Sequence, residues 1–484
     1  MPTRFAQTRA GLCGLALLAV AGCVAPTLAP APAPVAVPSS FAGAAGQARG
    51  VADSASVGAV AWRSFFDDTT LAALIDTAVR NNPELLATLQ EVEIARYAVQ
   101  SVRGRLAPQV SIAAGLGVDK SARYTSEGAG NASTDITDGR KVPEPLTDIN
   151  IGFVAAWEAD VRGKIRSQKG AALSRYLATV EGSRYVMTGL VAEVTNSYYE
   201  LTALDAKLAI VRETIALQQK SLSLVRAQRE AAAANELAVQ QFTALLLNAQ
   251  ALEYDLLQQV TDAENRLNLL LGRYPQVVAR VSVMPTAAPR AIAAGLPSQL
   301  LQNRPDIRAA EWAVKAARFD VKAARAEFFP EINLTAGLGL RAFKPSLLFT
   351  LPESMAYSLA GDVMAPLFNR SAIKAEYGIA SAAQQQALIN YRRTIVGGVT
   401  EVSTLLSAID NLERVNSFKS QQAVALDRSV GIAGDLFAAA RANYLEVLTA
   451  QREALNVKLE LVESRLRQRE ALTNLYRALG GGWR

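Results

Sequence analysis

The chain has 484 residues, half of them apolar and 19% charged, with a formal net charge of +6 and no histidine. That balance excludes global disorder, and the interspersed basic and acidic residues exclude the basic face that nucleic acid requires. The missing histidine and the placement of both cysteines near the N-terminus, at positions 13 and 23, leave no metal site, cofactor site or acid–base constellation to expect, so the chain does not read as an enzyme.

Residues 1–22 have the order of a secretory signal peptide. Arg4 and Arg9 are the positive start, Gly11 to Val20 the apolar stretch, and Val20-Ala21-Gly22 precede Cys23. This resembles a bacterial lipobox, with Cys23 as the lipidated residue; removal of Arg4 and Arg9 leaves a net charge of +6 − 2 = +4. Val24, rather than Asp, implies sorting to the outer membrane by that resemblance. From Pro26 to Ser40 the chain is rich in Ala and Pro, an extended spacer, so 23–60 is read as lipidated terminus and linker.

The remainder repeats itself, with a first copy over 61–290 and a second over 291–484. Asn81-Asn82-Pro83-Glu84-Leu85 matches Asn303-Arg304-Pro305-Asp306-Ile307 at an offset of 222, and Ala114-Gly115-Leu116-Gly117 equals Ala336-Gly337-Leu338-Gly339. Further on, Asn235, Leu237, Val239, Leu271 and Gly272 equal Asn443, Leu445, Val447, Leu479 and Gly480 at an offset of 208. The difference is a longer loop in the first copy between 120 and 147. Each copy predicts a helix opened by proline, two strands, and two long helices.

The strands alternate strictly. Val110, Ile112, Ala114, Leu116 and Val118 form one apolar row, and Ile149, Ile151, Phe153, Ala155 and Trp157 a second. Ile332, Leu334, Ala336, Leu338 and Leu340 form a third, with Tyr357, Leu359 and Val363 the fourth. Period 2 over such lengths is the membrane-barrel pattern, one face to lipid and one to a lumen. Four strands cannot close a barrel, and an open edge in lipid leaves unpaired backbone groups, so the chain must assemble around the barrel axis; the strand count alone allows two or three copies.

In the long helices Leu201, Leu204, Leu208, Val211 and Ile215 step by three and four, as do Val402, Leu405, Ile409 and Leu412, and Leu455, Leu459, Val462 and Leu466. This is coiled-coil spacing. A helix from Arg166 to Arg229 would reach about 95 Å; its charges keep it out of lipid, which places it in the periplasm.

Together these features resemble the TolC-like outer-membrane efflux proteins, the outer-membrane factors, in their NodT-type lipoprotein branch. The resemblance rests on the lipobox at Cys23, Trp62-x-x-Phe65-x-Asp67, the Asn82-Pro83 and Arg304-Pro305 elements, Tyr444-Leu445-Glu446-Val447-Leu448, and the ending Leu479-Gly480-Gly481-Gly482-Trp483. It implies a mainly α fold with a membrane β-barrel portion: a homotrimer with a twelve-strand barrel in outer-membrane lipid and a twelve-helix periplasmic tube. The implied partners are a periplasmic membrane-fusion adaptor and an inner-membrane pump of the resistance–nodulation–division type. The implied function is a passive exit duct for drugs or other small solutes. A type I protein-secretion duct and a structural periplasmic coiled-coil lipoprotein are the alternatives, and the alternating strands speak against the latter. Relatives carry Gly-x-x-x-Tyr-Leu-Asp-Val-Leu-Asp at the second periplasmic tip. Here Ala440 replaces the glycine, Glu446 the first Asp and Thr449 the second. The gate is therefore expected near Phe437, Arg441, Tyr444 and Glu446.

Overall fold

The structure, a computed structural model, describes residues 26–27, 36–41, 56–137, 139–281, 294–366, 368, 370–439 and 441–484. The signal segment, Cys23 and most of the Ala/Pro spacer lie outside the described residues. In chain order the helices and strands are α1 (Trp62–Phe65), α2 (Thr69–Asn81), α3 (Pro83–Gly104), β1 (Gln109–Asp119), α4 (Ser126–Ser133), β2 (Asp135–Thr137), β3 (Arg140–Lys141), β4 (Leu146–Glu158), α5 (Lys164–Glu230) and α6 (Glu236–Leu270). They continue with α7 (Leu300–Asn303), α8 (Pro305–Ala326), β5 (Glu331–Ala342), β6 (Met355–Met364), α9 (Ser371–Ala438) and α10 (Tyr444–Ala478). The chain divides into two compact units: one of residues 1–32, 94–176 and 312–388, the other of 33–93, 177–311 and 389–484.

The first unit holds an antiparallel sheet in the order β1-β4-β5-β6. Its register answers the face question that strand patterns alone leave open, because residues directly opposite one another share a face. Ile112 faces Phe153, Phe153 faces Leu338, and Leu338 faces Tyr357. The next apolar layer runs Ala114, Ile151, Leu340, Met355. Every apolar row thus falls on one side of the sheet. The opposite side carries small and polar residues, among them Gly115 opposite Asn150 and Gly152 opposite Gly339. A Cβ on Gly152 would stand 2.6 Å from the Gly339 Cα, so these two strands approach as closely as they do because neither position has a side chain.

The loop between β1 and β4 contains α4 and the small β2–β3 hairpin. Its sequence, rich in Ser, Thr and Gly, reads as loop; α4 forms because the Thr125 hydroxyl caps the Gly128 N–H at 3.2 Å.

The second unit is built from long helices. Leu201, Leu204, Leu208, Val211 and Ile215 are all buried, in one core with Leu256, Ala263, Leu267 and Leu271. Val402, Ile409, Leu472 and Leu475 form a second core. α5 and α9 have 67 and 68 residues, about 100 Å each at 1.5 Å per residue. Among the described residues no helix is long and apolar enough to cross a membrane.

Two joints in this unit stand at matching places of the two repeats. At the first, Asn82 accepts from the Leu85 N–H at 2.9 Å, capping α3, and donates to the Leu270 carbonyl at 2.9 Å. At the second, Arg304 donates to the Ala478 carbonyl at 2.8 Å, and also pairs with Asp306 at 2.7 Å and Glu401 at 2.8 Å. Leu270 and Ala478 end α6 and α10, where helix carbonyls lack internal partners. The glycine two residues further on, Gly272 or Gly480, is in the left-handed region at φ 64° or 91°. An added Cβ there would lie 2.3 Å from the Asn81 oxygen or 2.5 Å from the Asn303 oxygen.

Candidate functional site: the membrane sheet and the helical tips

The apolar side of the sheet is uncovered within the protomer. Leu116 is 74% exposed, Phe153 56%, and Leu359 82%. In water such a surface carries a cost on the order of 25 cal/mol for each Å²; against lipid it carries none. The other side offers a solvent-exposed salt bridge between the two central strands in place of apolar contact, Arg341 to Asp148 at 2.6 Å, together with Asn150 and the glycines.

At one end of the sheet the strands run into helices through charged and aromatic junctions. Asp160 accepts from the Ile165 and Arg166 N–H groups at 3.0 and 2.9 Å and so caps α5. Burial raises its pKa, and these backbone bonds and Arg166 outweigh that, holding the carboxyl below its usual range. Lys164 lies between Glu158 at 3.0 Å and Glu331 at 2.6 Å. Burial disfavours its charge, but the two carboxylates prevail and its pKa is raised. The Trp157 indole donates to the Leu106 carbonyl at 3.1 Å, and Arg162 covers the Phe329 ring at 4.7 Å. Such aromatic and cationic residues suit a membrane–water boundary.

The helix pairs turn at two tips in the second unit. Asn235 caps α6 by accepting from the Ala238 N–H at 2.9 Å, and Asn443 caps α10 by accepting from the Leu445 N–H at 3.2 Å. Of the four residues expected at a gate, Phe437 is buried in a core with Val225, Phe242 and Val447, its ring centroid 6.4 Å from that of Phe242. Tyr444 is half-buried against the same core. Arg441 and Glu446 are exposed. The protomer therefore places two of the four in its own packing and presents the other two outward; no ion pair joins Arg441 to Glu446 among the described residues. The sequence reading missed Gln228, whose amide donates to the Phe437 carbonyl at 3.3 Å and ties one tip to the other. It also missed Phe242. The apolar spacing Val239, Phe242, Leu246 was the available signal.

Among the described residues the sheet has a bare apolar face and two edges without a strand partner, and the long helices are far too charged for lipid. These features define one protomer of an oligomeric membrane β-barrel that also has long helices. The chain belongs to the outer membrane efflux protein family, whose model matches residues 74–273 and 296–481. It is 32% identical over 447 residues to the outer membrane protein OprJ of Pseudomonas aeruginosa, covering 92% of this chain and 90% of that one. It is 30% identical over 426 residues to a probable outer membrane lipoprotein, SilC, of Salmonella typhimurium, covering 87% and 88%. Its fold matches the open-state crystal structure of the MtrE outer membrane channel of Neisseria gonorrhoeae with a TM-score of 0.81 at 25% identity, covering 95% of this chain and 98% of that one.

Proposed function

We propose that this protein is the outer-membrane channel of a tripartite efflux system, a passive duct for small solutes rather than an enzyme. The observation that carries the reading is the registered sheet: all its apolar rows on one face, exposed, and both edges open. Three copies give twelve strands, enough to close a barrel around a polar lumen. The helices would stand in the periplasm, where a membrane-fusion adaptor and an inner-membrane pump of the resistance–nodulation–division type supply coupling and energy. Each protomer is two structural repeats, 61–290 and 291–484, behind a signal peptide of 1–22 and a spacer of 23–60. Cys23 is acylated, a reading supported by the lipobox and by the lipoprotein description of the SilC relative.

The tips form the gate. Phe437 and Tyr444 stiffen each tip from within, while three exposed Glu446 carboxylates surround the axis and select cations, with Arg441 as the balancing charge. In a strain lacking its own channel, expression should restore resistance and dye export only when an adaptor and pump are co-expressed. In planar bilayers Glu446→Gln should reduce block by multivalent cations, and Arg441→Ala should raise conductance. Unchanged conductance and block in both variants rejects the charged gate. Failure of export with every pump tested, together with no conductance, rejects the duct.

A further inference from the structure

Pro26 and Thr27, three and four positions after Cys23, are the first described residues, and both are held. The Arg325 Nε donates to the Pro26 carbonyl at 2.7 Å, and the Tyr377 hydroxyl donates to the Thr27 carbonyl at 3.1 Å. Both donors are themselves fixed. Arg325 is in the last turn of α8, and Tyr377 packs edge-on against Phe328 at 6.0 Å, whose ring lies under Arg370 at 5.3 Å. Arg370 also donates to the Phe328 carbonyl at 3.2 Å. These residues lie where α8 leads into β5 and β6 leads into α9, at the end of the sheet that carries its aromatic and cationic junctions.

We infer that Arg325 and Tyr377 form a docking clamp for the acylated N-terminal segment, which seats the lipid anchor beside the helix-bearing end of the membrane sheet. This rests on the reading that Cys23 is acylated. Three residues span at most about 10 Å, so a clamp on Pro26 and Thr27 confines the acyl chains to the membrane next to this protomer's own strands. Both contacts are made to backbone carbonyls, of Pro26 and Thr27, and two fixed donors are what such a contact requires. The clamp is specific to the second repeat. The repeat offsets place Arg103 opposite Arg325 but Ala172 opposite Tyr377, so the first repeat keeps the cation and lacks the phenol. Held there, the anchor raises the local concentration of the apolar sheet at the bilayer before insertion, as any short tether does.

The test uses the full chain in its membrane. With Cys23 acylated and Cys13 removed with the signal peptide, the mature protein has no free thiol, so Thr27→Cys and Lys374→Cys can be bridged by a short bismaleimide; Lys374 is one helical turn from Tyr377 on the same face. Labelled palmitate is followed in parallel. In the otherwise unaltered chain the bridge should form nearly completely. Adding Arg325→Ala and Tyr377→Phe should lower its yield by about fivefold for each hydrogen bond removed, with palmitate uptake and oligomer content unchanged; Tyr377→Phe alone keeps the ring against Phe328 and covers the case where Arg325→Ala reduces folding. Palmitate uptake without bridging, or bridging indifferent to both substitutions, overturns the clamp and leaves the acylation reading intact. Absence of palmitate from the unaltered chain overturns both.

Discussion

The two repeats meet the same structural demand with different electrostatics. Each must satisfy a helix-ending carbonyl, Leu270 in the first and Ala478 in the second, from the residue just before a proline. The first uses the neutral amide of Asn82, which caps α3 with its other atom. The second uses a buried guanidinium. Burial lowers the pKa of Arg304, but Asp306 and then Glu401 more than reverse this, and the net shift is upward. Arg477 donates to Glu401 as well, at 2.6 Å. The lesson is that equivalent geometry does not mean equivalent robustness. An amide joint loses one or two neutral hydrogen bonds when altered, whereas the arginine joint leaves Asp306 without its cation and Glu401 with Arg477 alone.

The largest predicted effect tests that contrast directly. Arg304→Ala should destabilise the folded protein by about 3–5 kcal/mol, the range for breaking a buried charge pair on one side. Asn82→Ala should cost about 1–2 kcal/mol, as for a lost helix cap. Chemical unfolding in detergent measures both, and equal losses would break the comparison. Next come the strands, where the repeats should behave alike. Phe153 and Leu338, one from each copy, face each other on the apolar side. Arg at either should cost about 2–4 kcal/mol of membrane stability near mid-bilayer, while Asp at Gly115 or Gly337 on the opposite side should be better tolerated. A liposome insertion assay that ranks the two faces equally would refute the face assignment.

The glycine joints should also be equal. Gly272→Ala and Gly480→Ala each impose a side chain on a left-handed backbone facing a carbonyl, at about 1–3 kcal/mol apiece. A marked inequality in melting temperature would show that one copy relaxes more readily. The smallest effect is a pH difference. Tyr476 donates to the Val60 carbonyl at 2.6 Å, and the repeat offset places Asn268 at the matching position. Burial pushes the Tyr476 pKa up to about 12, against the opposing influence of Gly482 and Arg484. Since the folded value exceeds the unfolded one near 10, this stabilisation is complete below pH 10 and is lost as pH rises through 12. Tyr476→Phe should cost about 1 kcal/mol at neutral pH and remove this part of the alkaline loss, leaving the share due to Tyr198, whose pKa burial and Asp68 also raise. An unchanged alkaline limb would assign the loss elsewhere.

Much of this fold is written in local periodicity and is legible for that reason. The row Val110 to Val118 lies within β1, the rows of β4 and β5 lie within one or a few residues of the strand ends, and Arg166–Arg229 falls inside α5. Pairing register is not local: that Phe153 lies between Ile112 and Leu338 follows only when the strands are brought together. The same holds for Arg304. Its sequence marks a helix start, but its carboxylate Glu401 is 97 residues away. At the tip, Phe437 and Glu446 are equally plausible gate residues by sequence, and only packing separates the buried ring from the exposed acid.

The unpaired outer edges of β1 and β6 have a genetic consequence. A ring of identical chains closes only if every edge finds a sound neighbour, so one defective copy spoils the assembly it enters. Substitutions that preserve the protomer's fold but damage one edge, such as proline in β6, should therefore act dominantly. Co-expressed in equal amount with the unaltered chain, they leave roughly one threefold ring in eight free of a damaged subunit. A substitution that prevents the protomer from folding at all would instead be recessive, since a chain that never reaches the ring cannot spoil it.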